Sequence, residues 1–89
     1  MEMKKKMDNK VLVRVFIPDL EMDLDVYVPI SKRIGNIISL VVKAVNELGI
    51  TFKFANTYAL YERETGNMYH PNALVYSTNI RFGSELILL

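Results

Sequence analysis

From Val11 onward the chain alternates with period two. Val11, Val13, Val15 and Ile17 fall on one side, and Leu12, Arg14 and Phe16 on the other. β-Branched residues dominate the first set, which predicts a strand with its valine face inward. Pro18 and Asp19 supply turn chemistry, and a second alternation follows in which Met22, Leu24, Val26 and Val28 oppose Glu21, Asp23, Asp25 and Tyr27. This second strand should be half buried, with an acidic outer face. Pro29 has no N–H for a ladder and ends it.

The period then becomes helical. Between Lys32 and Leu48, Ile34, Ile37, Ile38, Val41, Val45 and Leu48 share one face, while Asn36, Ser39, Lys43, Asn46 and Glu47 fall on the opposite one. Ser31 is placed to cap this helix and Gly49 to end it in a left-handed conformation. Ile and Val are middling helix formers, and Gly35 costs up to about 1 kcal/mol relative to Ala, so burial must supply the stability. Ile37, Val41 and Val26 are expected to be fully buried together.

After an extended connection in which Ile50 and Phe52 can cover the end of the core, residues 58–62 read as a third strand. A turn follows through Gly66, and residues 67–69 form a short returning strand. Pro71 and Asn72 break it, "ALVYSTNI" reads as a single helical turn, and the chain closes on a strand with Leu86 and Leu88 toward the core and Ile87 and Leu89 on the other face. The order strand, strand, helix, strand, strand, strand makes an α+β β-grasp fold. A mixed sheet of four to five strands is covered by one long helix, with the last strand parallel beside the first in the middle of the sheet. The apolar terminus is then the centre of the sheet rather than its fringe.

The chain has 89 residues, 51% of them hydrophobic, which is enough for one domain with its own core. Residues 1–9 are expected to be a flexible basic tail and residues 10–89 the domain. Lys4, Lys5 and Lys6 precede an apolar run, but Arg14 interrupts it and no small-residue cleavage site follows, so the signal-peptide reading fails. No stretch approaches the ~20 apolar residues of a membrane-spanning helix. A net charge of +1 leaves nucleic acid without an electrostatic argument, and the absence of cysteine removes disulfides and thiolate chemistry and fits a reducing cytosol.

Catalytic chemistry finds no foothold. His70 is the single histidine and sits beside Pro71 in a predicted loop, and the serines have no histidine partner in a recognisable arrangement. Glu21, Asp23 and Asp25 would stand in a row about 7 Å apart per step along a strand, without the turn that converges oxygens on a cation. "KRIGN" lacks the loop spacing of a phosphate cradle. No enzyme, cofactor or metal is expected.

The layout looks like ubiquitin and resembles more closely the small ubiquitin-like proteins of the YukD and EsaB type, which accompany type VII secretion systems of Gram-positive bacteria. The resemblance is carried by "VPISKRIGNIISLVVKAV", where Val28 and Pro29 precede a helix that opens at Ile34, and by "LVYSTNIRFGSELILL", with Ile80, Gly83 and the closing leucines. The N-terminal lysines and the stretch from Glu64 to Pro71 depart from it. The resemblance implies a cytoplasmic, non-covalent accessory or regulatory component that binds a protein partner. Ubiquitin-type modifiers end in a flexible tail with two glycines. A natural protein that ended at Leu89, inside the predicted strand, would not be conjugated.

The candidate binding surface is the sheet face away from the helix. Leu12, Arg14, Phe16, Tyr61, Ile87 and Leu89 should meet there, in the place of ubiquitin's hydrophobic recognition surface, with Ile87 beside Leu12 and Tyr61. Exposed apolar area with Arg and Tyr at its centre marks contact sites. The rival readings are a homodimer covering the same patch, and a generic β-grasp interaction domain unrelated to secretion.

Because residues 1–9 carry like charges and no apolar periodicity, their removal should leave the thermal midpoint of unfolding nearly unchanged. A large drop would show that they pair or pack with the domain.

Overall fold

The computed structural model describes residues 9–52 and 58–89. Strand β1 (Lys10–Ile17) turns through a short 3-10 segment, Pro18–Leu20, into β2 (Met22–Pro29). The helix α1 (Ile34–Glu47) follows, then β3 (Leu60–Glu62), a second 3-10 turn (Val75–Ser77) and β4 (Glu85–Leu88). The sheet order is β2-β1-β4-β3. β1 is antiparallel to β2 and parallel to β4, and β3 is antiparallel to β4. This is the ubiquitin-like β-grasp, with the first and last strands side by side at its centre.

The period-two and helical patterns meet in one core. Val13, Val15 and Ile17 of β1, Leu86 and Leu88 of β4, and Leu60 of β3 lie buried against Ile34, Ile37, Val41 and Val45 of α1. Val28, Val75 and Ile80 close its ends. Ile50 and Phe52 pack on this core as expected, and Phe52 stacks at a tilt on Tyr58 with ring centroids 4.8 Å apart.

Several expectations need correction. Val26 is only partly buried, as are Met22 and Leu24; Val28 alone of that set reaches full burial. The reason is position: β2 is an edge strand, so only its end beside the helix start is roofed. Glu21 lies in the left-handed turn before β2, at φ 50°, and not on the strand with Asp23 and Asp25.

The returning strand at residues 67–69 shrinks to a single bridge between Tyr61 and Met68, so the sheet has four strands among the described residues. β3 spans Leu60–Glu62 and not the longer segment from Tyr58. Asn9, assigned to the tail, accepts a 2.8 Å hydrogen bond from the Ile30 N–H, so removing it would cost one ladder bond, on the order of 1 kcal/mol, and the deletion expected to leave the thermal midpoint nearly unchanged is that of residues 1–8. The expected flexible tail otherwise lies outside the described residues.

Ser31 does not cap α1. The helix opens on Arg33 with no side-chain cap, and its first N–H groups are satisfied from across the molecule. Ile34 N–H donates to the Ala73 carbonyl and Gly35 N–H to the Pro71 carbonyl, each at 2.9 Å. The Arg33 guanidinium donates to the Asn72 carbonyl at 2.6 Å. A Cβ at position 35 would stand 3.4 Å from the Pro71 oxygen, so glycine leaves room for the loop that takes over the capping. Gly49 ends the helix at φ 83° as expected.

Truncation of Ile37 or Val41 to Ala should cost about 2–4 kcal/mol in urea unfolding, whereas Val26→Ala, at a partly roofed edge, should cost less than half as much. Equal losses at positions 26 and 37 would contradict the edge placement of β2.

Candidate protein-binding face

The alternation of β1 decides which side chains face away from α1. With Val13, Val15 and Ile17 turned to the core, Leu12, Arg14 and Phe16 project from the opposite face. Register then aligns the strands. Phe16 lies opposite Ile87 on one side and Asp23 on the other, and Ile87 lies opposite Tyr61. Asp23, Phe16, Ile87 and Tyr61 therefore form one row across all four strands.

Two residues forward along β4, Leu89 is 57% exposed and its backbone pairs with Ala59 in both directions, at 2.8 and 3.0 Å. Leu12 sits at the far end of β1, opposite Tyr27, with its carbonyl accepting the Gly83 N–H at 2.8 Å. Four residues of strand, roughly 13 Å, separate it from Phe16. The expected Ile87 neighbour Leu12 is thus replaced by Phe16, because the parallel register pairs Phe16 with Ile87.

Charges frame the apolar row. Arg14 sits between Asp25 and Glu85 by register, and its Nε donates to Asp25 Oδ1 at 3.1 Å. That hydrogen bond and the Asp25 charge together push the guanidinium's pKa further up. Arg63 lies over the Phe16 ring, 5.1 Å from its centroid, and its Nη1 stands 3.8 Å from Asp23 Oδ1. Both ion pairs are more than 40% exposed, so they orient side chains more than they stabilise the fold. Arg63 is the residue the sequence reading missed. It lies two positions beyond Tyr61, so period two places it on this face; ending the third strand at Glu62 hid it.

Beside this face, loops at residues 62–69 and 79–85 bound an open cleft of about 670 Å³. The Tyr69 hydroxyl donates to Asn79 Oδ1 at 2.8 Å, and the Asn79 amide donates to Glu62 Oε2 at 3.0 Å. Burial, and secondarily the Glu62 charge, raises the Tyr69 phenol's pKa; burial, and secondarily the charge and hydrogen bond of Asp19, does the same for Tyr58. The cleft is walled by both charge signs, Arg63 and Arg81 against Glu62, Glu64 and Glu85. His70 is exposed in its loop, where Nδ1 accepts the Asn72 N–H at 3.0 Å. Among the described residues no helix is long and apolar enough to cross a membrane.

No protein-family model matches this chain, and no curated protein matches its sequence. Solved structures do match its shape. The EccD5 ubiquitin-like domain from Mycobacterium xenopi superposes with a TM-score of 0.68 at 17% identity, covering 90% of this chain and 92% of that one. A chain of the MycP5-free ESX-5 inner membrane complex gives 0.69 at 15% identity over 91% of this chain, which spans 21% of that longer one. Ubiquitin from Caldiarchaeum subterraneum gives 0.64 at 12% identity, covering 89% and 90%. At such identities the likeness is one of fold, and the fold is that of ubiquitin-like domains.

The two faces of β4 predict opposite responses. Leu88→Glu would bury a charge in the core and should unfold the domain. Ile87→Glu should retain native circular dichroism and lose no more than about 1 kcal/mol. The reverse pattern would mean that the strand's register is off by one residue.

Proposed function

We propose that this protein is a non-enzymatic, cytoplasmic accessory or regulatory component of a bacterial type VII secretion system, of the YukD and EsaB type, that docks a protein partner on the outer sheet face. The observation that carries the docking reading is the row Phe16, Ile87 and Tyr61. Three large side chains are aligned across β1, β4 and the edge strand β3, with Arg63 stacked on the first and carboxylates at the margins.

An apolar centre with an aromatic and Arg anchor, rimmed by charge, is the composition of a protein contact. Docking would proceed through Phe16, Tyr61 and Ile87 at the centre, with Leu12 and Leu89 extending the apolar area and Arg14 contributing charge at the rim. The secretion assignment draws support from the sequence resemblance. It draws further support from a shared fold with an EccD5 domain and with a chain of the ESX-5 inner membrane complex.

The test is co-purification of the tagged chain with the detergent-solubilised type VII membrane complex and its ATPase from the source bacterium. The wild type should be retained on that complex and Ile87→Glu should be lost from it, because its charge would have to be desolvated at the centre of the contact. Absence of wild-type retention would favour a generic interaction domain. A sedimenting dimer that dissociates on Ile87→Glu would instead assign the face to a second copy.

A further inference from the structure

The start of α1 is capped by a single turn. The His70 carbonyl accepts the Ala73 N–H at 3.0 Å, which closes residues 70–73 into a β-turn. The next carbonyls along this turn all serve the helix: Pro71 accepts from the Gly35 N–H, Asn72 from the Arg33 guanidinium and Ala73 from the Ile34 N–H. A further bond braces the turn from inside. His70 Nδ1 accepts the Asn72 N–H at 3.0 Å, in the manner of an Asx turn with an imidazole in place of the carboxamide. A ring nitrogen accepts only while it carries no proton, so this brace requires the neutral imidazole with its hydrogen on Nε2.

Protonation of His70 acts on the turn in two ways of the same sign. It sets an N–H on Nδ1 against the Asn72 N–H, two donors face to face, which opens the brace. It also places a positive charge one residue before the carbonyl that caps Gly35, at the positive end of a 14-residue helix. The surrounding groups offer no compensation. Lys32 and Arg33 at the helix entry are cationic, α1 has no acidic residue in its first turn, and Tyr69 commits its hydroxyl to Asn79. Glu62 is engaged by Thr65 and Asn79, and it lines the cleft together with Glu64. Among the described residues no ion pair joins His70 to a carboxylate.

We infer that His70 is a pH-sensitive latch on the cap of α1. Neutral, it holds the 70–73 turn in the form that presents its carbonyls to the helix; protonated, it releases the Asn72 N–H and loosens that presentation. The stability it lends is present where the ring is neutral and is lost as pH falls through the range in which imidazoles take up a proton, between about pH 8 and 5. With one histidine and no cysteine, the chain has no other side chain that ordinarily titrates there. The ring is exposed, so the proton has free access.

The test is nuclear magnetic resonance on the isotope-labelled full chain at about pH 7.5 and 5.5, on either side of imidazole titration. At the higher pH the ring nitrogens should report the Nε2–H tautomer, and the amide shifts of Asn72, Ile34 and Gly35 should follow the His70 ring as it titrates. Hydrogen-exchange protection of Ile34 and Gly35, corrected for the intrinsic rate, should fall at least about threefold at the lower pH, the size expected for one lost hydrogen bond. His70→Asn keeps an acceptor that takes up no proton, and should retain the protection while losing its pH dependence. His70→Ala should show the lower protection at both pH values, with native circular dichroism. An Nδ1–H tautomer at the higher pH, amides that ignore the ring's titration, full protection in His70→Ala, or undiminished pH dependence in His70→Asn would overturn the inference.

Discussion

The parallel pairing of β1 with β4 is the contact on which the molecule depends. It joins Val15 to Leu86 and Phe16 to Ile87, residues from opposite ends of the described chain, and everything else is arranged on its two sides. On one side Val13, Val15, Leu86 and Leu88 form the floor that α1 needs, since its own residues are middling helix formers. On the other, the same backbone aligns Phe16, Ile87 and Tyr61. A parallel pair requires a long crossover, and here the crossover carries β2, α1 and β3, so core and outer face rest on the same pairing.

The start of α1 is held by the same non-local economy. A helix whose first turn lacks a side-chain cap exposes unsatisfied donors, and the loop at residues 71–73 answers them with its own carbonyls. Gly35 weakens the helix locally but admits the Pro71 oxygen closely enough to bond. The loop is thereby stitched to the helix, with Arg33 bonding to Asn72 and an isolated bridge from Arg33 to Leu74 on the same seam.

Charge frames the outer face as far as strand β2. Asp23 and Asp25 touch Arg63 and Arg14 across the face. A partner on the proposed face would meet carboxylates already oriented by arginine. Their exposure keeps the energies small and the arrangement adjustable.

Period two and period 3.6 were enough to read the β-grasp, because burial on one side of a strand or helix must repeat with its geometry. Leu86 and Leu88 against Ile87 is the plainest case, buried residues flanking one that stays partly exposed. The placement of the six residues on the outer face was legible for the same reason, while the binding role proposed for them is argued from chemistry rather than from pattern. Tertiary structure decided what periodicity cannot encode. Val26 has the pattern of a core residue but lies on the sheet's edge, and strand order is not written in local alternation. Ser31 has the chemistry of a cap, but distant carbonyls reached the helix first. Arg63 belongs to the face because the chain continues past Glu62 in register with Glu85, to which its N–H bonds at 3.1 Å. The sequence by itself determined which side of each element is apolar; which elements became neighbours, and so which side chains met, was set by the long-range pairing of the chain's two ends.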